Sequence, residues 1–157
     1  MKPISMSFRL AKASDLTTLV AMLADDALGA TREIVQEEPA QCYRDAFAAI
    51  ESDPNQQLLI AESAGRIVGC LQLSFIPGLS RRGAWRGQIE SVRIASDARG
   101  GGLGRVMLDY AISLCREREC AVVQLTTDKS RAQARRFYEQ LGFVASHEGM
   151  KLDLASA

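Results

Sequence analysis

Four of the five positions from Gly100 to Gly104 are glycine (Gly100, Gly101, Gly102 and Gly104, with Leu103 between). Arg99 and Arg105 flank them, and an amphipathic segment follows. Glycine weakens a helix by roughly 1 kcal/mol per residue relative to alanine, so such a cluster implies that the backbone itself is used. A strand-to-helix junction exposes unpaired N–H groups at the positive end of the helix dipole. Glycines let an anion approach those amides and permit positive φ. A pyrophosphate fits that geometry, with Arg99 and Arg105 adding charge; a tight connection with no ligand is the alternative.

Two side chains nearby carry possible proton chemistry. Glu90, in QIESVRI, alternates in step with Val92 and Ile94, an unusual place for a carboxylate. It reads as a general base, or else as a glutamate paired with an arginine such as Arg86 or Arg9. Tyr138 follows Phe137 in a helical stretch. A phenol of pKa ~10 can serve as a proton donor; on the residues alone, a packed core tyrosine is the favoured reading.

The elements that must position these residues follow from pattern. Phe8–Ala11 reads as a first strand. Ser14-Asp15 caps a helix carrying Leu16, Leu19, Val20 and Leu23 at helical spacing. Gly29–Pro39 is a polar, acidic loop, and Ala40–Glu51 a second helix. LLIAESAGRIVGCLQLSFIP is a hairpin turning at Ser63–Arg66. Gln88–Ala95 is a strand, Leu103–Glu117 a helix, Ala121–Thr127 a strand, Ser130–Gln140 a helix, and Met150–Leu154 a last short strand. The strand at Val92, the helix at Leu103 and the strand at Val123 form one βαβ unit with a right-handed crossover. The class is mixed α/β: a mostly antiparallel central sheet flanked by about four helices.

Three phosphate-binding patterns compete for the glycine loop. The Walker pattern needs Lys-Ser/Thr after its last glycine, and here Arg105-Val106 follows Gly104. The dinucleotide pattern needs glycine where Arg105 stands. The pattern R-x-x-G-x-G fits Arg99–Gly104 at every position. With it, VRIASDARGGGLGRVML resembles the acyl-CoA pyrophosphate loop of the GCN5-related N-acetyltransferase (GNAT) family. Downstream, SRAQARRFYEQLGF resembles that family's A-x-x-F-Y-x-x-L-G-F segment through Ala134, Phe137, Tyr138, Leu141, Gly142 and Phe143.

The resemblance implies the GNAT fold, acetyl-CoA as co-substrate and a small-molecule primary amine as acceptor. It implies transfer by direct attack, with Glu90 as base and Tyr138 as acid. Backbone groups at Val92 and Ile94 would hold the pantetheine arm, with the strands at Val92 and Val123 splayed to admit it. One departure stands out: many members carry Asn where this chain has Arg131, which alters a contact to the CoA arm. The alternative of another class is a non-catalytic acyl-CoA-binding or regulatory domain.

Bulk properties set limits. The 157 residues suit one domain spanning 1–157. Lys plus Arg total 19, as do Asp plus Glu, so no bulk charge steers the chain to nucleic acid or membrane. Cys42, Cys70, Cys115 and Cys120 lack metal-ligand spacing, so no metal is expected; reduced thiols suit a cytoplasmic protein. A homodimer is left open. His147, the single histidine, falls in a loop. Trp85 lines an acceptor pocket or anchors its loop. Asp25, Asp26, Glu33, Glu37 and Glu38 form an acidic stretch, either a solvated face or a dock for a cationic acceptor.

Overall fold

The apolar alternation from Leu58 to Ile76 folds back at Ala64 and Gly65, whose φ values are 51° and 74°. Positive φ at both central residues matches the twist of a two-residue hairpin. It joins β2 (Gln56–Ser63) to β3 (Arg66–Ile76). β1 (Met6–Leu10) pairs antiparallel with β2, and β4 (Arg86–Ile94) pairs antiparallel with β3. β5 (Val122–Leu125) runs parallel to β4, and the five-stranded sheet has the order β1-β2-β3-β4-β5. The computed structural model describes residues 6–155.

Four helices match the reading of the sequence: α1 (Leu16–Ala24), α2 (Gln41–Ser52), α4 (Leu103–Glu117) and α5 (Ala132–Gln140). A fifth, α3 (Ser80–Gly83), is a single turn in which Arg81 and Arg82 take left-handed φ values of 52° and 61°. No helix among the described residues is long and apolar enough to cross a membrane.

The sheet has a core on each face. On one side Leu59, Ala61, Leu71, Leu73, Phe75 and Ile89 pack against Leu103, Met107, Leu108, Ala111 and Cys115 of α4, with Phe137, Tyr138 and Leu141 of α5 at the margin. On the other side Ile60 and Cys70 pack against Leu19 and Met22 of α1. Gly87 is required where α4 crosses β4: an added Cβ would lie 2.3 Å from the Cys115 sulfur.

One expected element is absent. Met150–Leu154 has strand alternation but forms no strand. A strand exists only as part of a ladder, and no described segment pairs with this one.

Candidate active site

The glycine loop sits at the C-terminal end of β4, after a short helical turn at Ser96–Ala98. Gly100 and Gly102 take φ values of 80° and 78°, and Gly102 is the N-cap of α4. The amides of Gly100, Gly101, Gly102, Leu103 and Gly104 find no acceptor among the described residues; the next, Arg105 N, bonds Gly102 O at 3.1 Å. A Cβ on Gly100 or Gly102 would meet nothing within 4 Å, so this side of the loop is open. Gly104 serves packing instead, because a Cβ there would come within 3.4 Å of the Phe137 ring of α5.

The flanking arginines differ. Arg99 donates to the Ile94 carbonyl at 3.0 Å and to Asp25, at its carbonyl and at its carboxylate at 2.9 Å. It therefore ties the end of β4 to the end of α1 rather than pointing into the loop. Arg105 is solvated, 3.8 Å from Asp109 one turn on, and stays beside the open amides.

β4 carries a feature that its residues do not announce. Its pairing with β3 runs Cys70↔Arg93 and then Gln72↔Glu90, so Ser91 and Val92 together oppose Leu71. This is a β-bulge, and Ser91 takes φ 54° to make it. The extra residue shifts the side-chain alternation. Glu90 shares a face with Gln72, Cys70 and Arg93, the side of α1, while Val92 and Ile94 face α4. Strict alternation put Glu90 with Val92 and Ile94; the bulge reverses that.

The bulge coincides with the parting of β4 and β5. The two strands pair from Arg86↔Val122 to Ile89↔Leu125 and no further. The strands that carry Val92 and Val123 therefore part beyond Ile89, while Val123 itself is still paired to Gly87. From Glu90 to Ile94 no described strand pairs with β4 on that side; the carbonyls of Val92 and Ile94 accept from the side chains of Arg93 and Arg99, each at 3.0 Å. Glu90 stands exposed at the start of the gap. It makes no ion pair among the described residues. Arg9, one suggested partner, is held by Asp15 and Glu62, each at 2.7 Å, and Arg86 makes no salt bridge there.

Tyr138 approaches from the α4 side. Its ring lies edge-on to Phe143, with centroids 6.0 Å apart, and tilts against Phe137 at 5.4 Å. Its hydroxyl has no hydrogen bond among the described residues. Burial raises the phenol's pKa, opposed by the nearby charges of Arg131 and Arg93. Arg131 precedes α5 as its N-cap. Arg93, beside the gap and paired with Asp26, is a candidate that pattern reading missed; its one sequence signal is a long cation between Val92 and Ile94.

The acidic stretch is largely occupied. Asp25 holds Arg99, Asp26 pairs with Arg93 at 3.2 Å and accepts from the amides of Leu28 and Gly29, and Glu33 accepts from the Tyr43 hydroxyl at 2.7 Å. Hydrogen bonding from Gly29 is the main cause that holds the Asp26 carboxyl below its usual range. Trp85 packs against the core and its carbonyl accepts from Ala121 N at 2.8 Å, the anchoring role. His147 is exposed, with its ring nitrogen 2.7 Å from the Ser146 hydroxyl.

A row of open amides at a helix N-terminus, a parted strand pair beneath it, and a carboxylate and a phenol on the two faces suit an extended, pyrophosphate-bearing thioester. Comparison with known proteins gives the class. Residues 20–143 match the model of the acetyltransferase (GNAT) family. The chain belongs to this family. It is 32% identical over 107 residues to an aminoalkylphosphonate N-acetyltransferase of Salmonella typhimurium, covering 68% of this chain and 69% of that one. It is 36% identical over 93 residues to a glucosamine 6-phosphate N-acetyltransferase of Trypanosoma brucei brucei, covering 59% and 61%. Among solved structures, a protein from Bacillus halodurans C-125 described as a transcriptional regulator superposes with a TM-score of 0.92 at 47% identity, covering 96% of this chain and 100% of that one.

The loop supplies a direct test. Gly102→Asp places a carboxylate where the Cβ has open space, and aspartate is both a favoured N-cap and tolerant of left-handed φ. The fold should survive while the anion site is spoiled. A like charge at about 4 Å costs roughly 1–4 kcal/mol, so calorimetry should read acetyl-CoA binding weakened by about 5- to 1,000-fold. Undiminished affinity in the folded variant would remove the loop from the site.

Proposed function

We propose that the whole chain, as one domain, is an acetyl-CoA-dependent N-acetyltransferase acting on the primary amine of a small acceptor by direct attack. The run of acceptor-less amides from Gly100 to Gly104, at the end where β4 and β5 part, carries the reading. Those amides and Arg105 take the pyrophosphate, with Leu103 starting the helix behind them and Arg99 holding the loop to α1. The backbone at Val92 and Ile94, which no strand covers on the gap side, holds the pantetheine arm, with its carbonyls steadied by Arg93 and Arg99, and Arg131 lies beside its path. Glu90 takes a proton from the amine, directly or through one water. The N–C bond forms as the C–S bond breaks, and Tyr138 gives its proton to the departing sulfur. All four cysteines are free thiols, which supports a cytoplasmic setting.

The acceptor bears an anionic group. Asp25 and Asp26 are each paired with an arginine, which takes two of the stretch's five carboxylates from a cationic acceptor. The guanidinium groups of Arg32 and Arg131 make no salt bridge among the described residues, and the charge of Arg131 lowers the pKa of both Asp26 and Tyr138. The Salmonella and Trypanosoma relatives are named for a phosphonate-bearing and a phosphate-bearing acceptor, which supports the same class here. A non-catalytic regulatory domain is the second reading, favoured by the description of the Bacillus halodurans protein.

The test is CoA release with matched amines, 2-aminoethylphosphonate against ethylamine and a diamine. One charge-assisted contact worth about 1.4 kcal/mol predicts roughly tenfold higher kcat/KM for the phosphonate. Equal or better use of the diamine would reject the anionic class. Tight acetyl-CoA binding with no release for any amine would favour the second reading.

A further inference from the structure

The C-terminal end of α4 brings two thiols together. Arg118 N donates to Leu114 O at 3.0 Å, Glu119 N to Arg116 O at 2.9 Å, and Cys120 N to Cys115 O at 2.9 Å. Glu119 takes a left-handed φ of 54°. The last two bonds and that φ make a Schellman cap, which sets the side chain after the left-handed residue against one in the last full turn of the helix. That contact is commonly hydrophobic. Here both of its members are cysteine, Cys115 and Cys120.

The two thiols are unlike. Cys115 is buried between α4 and the sheet, with its sulfur against Gly87. Cys120 packs on the same core but is partly exposed. The two side chains hydrogen-bond each other. Burial raises the pKa of both, that of Cys115 to about 12. For Cys120 the hydrogen bond from Cys115 and the charge of Arg118 work the other way. Both therefore rest as thiols, and Cys120 is the one helped toward the thiolate, the nucleophilic form. Among the described residues no third cysteine, histidine or carboxylate joins them to make a metal site.

We propose that Cys115 and Cys120 are a reversible dithiol–disulfide pair, which takes an oxidant of the low-molecular-weight disulfide class at Cys120 and resolves it with Cys115. Cys120 Sγ gives up its proton and attacks one sulfur of the oxidant. The oxidant's S–S bond breaks, and the released thiolate takes the proton. Cys115 Sγ then attacks Cys120 Sγ in the mixed disulfide, and the second thiolate leaves with the proton of Cys115. Two protein thiols lose two electrons in all, and one small disulfide becomes two small thiols.

The new bond ties the end of α4 to the chain entering β5, where Ala121 N donates to Trp85 O at 2.8 Å. This end of the sheet is away from the gap: β4 and β5 are paired here, at Arg86↔Val122, and part only beyond Ile89. The pair therefore acts on stability and leaves acetyl-CoA binding untouched. The inference is independent of the catalytic reading.

The full chain is incubated with oxidised glutathione, its remaining thiols are blocked, and it is digested with trypsin without reduction. Cleavage after Arg116 and Arg118 puts the two cysteines in separate peptides. Mass spectrometry should find these peptides joined, and reduction should part them. Cys120→Ala should leave Cys115 unmodified, because the point of entry is gone. Cys115→Ala should leave Cys120 as a lasting mixed disulfide with glutathione. Cys115→Ala removes a buried group, so the wild type and Cys120→Ala decide the matter without it. The oxidised wild type should melt about 4–8 °C higher than the reduced one, the effect of closing a loop of about six residues. Its affinity for acetyl-CoA should be the same. Wild-type Cys120 that stays glutathionylated overturns the inference. So does a bond from either cysteine to Cys42 or Cys70, a Cys115 that reacts in Cys120→Ala, or an oxidised form that melts no higher than the reduced one.

Discussion

Tyr138→Phe should lower kcat by about 10²–10⁴-fold, the range typical of a positioned acid–base group. Acetyl-CoA affinity should hardly change, since one hydroxyl is lost and the ring stays between Phe137 and Phe143. Little stability should be lost, because that hydroxyl makes no hydrogen bond within the described protein. The pH dependence follows from the direction of the shift. The catalytic form of an acid is protonated, and burial raises the pKa of this phenol above its ordinary value of 10. The acid is therefore present throughout the neutral range, and its loss appears only as pH climbs past that ordinary value. Rapid-quench turnover under conditions where chemistry is rate-limiting checks the rate, and calorimetry checks the affinity. A Phe variant at full rate would make Tyr138 a packing residue.

Glu90→Gln should reduce kcat/KM by about 10²-fold at pH 7, and the loss should shrink as pH rises. An amine of pKa ~10.4 is neutral in only about one molecule in 2,500 at pH 7. An enzyme that removes the proton gains most there and little near pH 10, where the amine deprotonates unaided. Glutamine keeps the shape and removes the basicity. Glu90 stands at the start of the gap, on the face it shares with Arg93, with no ion pair among the described residues to tie it down. The measurement is kcat/KM against pH for both proteins with one accepted amine. Converging profiles support the base; parallel profiles of similar height exclude it.

Local chemistry made much of this architecture legible. The glycine loop, the Ala64-Gly65 hairpin and the bounds of α4 depend on φ preferences and helical period, which a short stretch of sequence carries. What escaped reading depends on contacts distant in sequence. Arg99 looks like a phosphate ligand until the fold brings Asp25 beside it. The bulge at Ser91 has no glycine or asparagine to signal a positive φ; only the register against Leu71 reveals it, and it moves Glu90 to the other face. Arg93 became visible through Asp26 in the same way. Met150–Leu154 shows the opposite case: its alternation is strand-like, yet alternation alone supplies no hydrogen-bonding partner.

Acetyl transfer itself is the claim on which the rest depends, and product stoichiometry tests it most directly. With acetyl-CoA and the best acceptor of the amine panel, mass spectrometry should find one N-acetyl product for each CoA released, at a rate that Gly102→Asp and Tyr138→Phe both depress. Binding of acetyl-CoA without CoA release above the buffer rate, or release with no acetylated amine, would contradict the account.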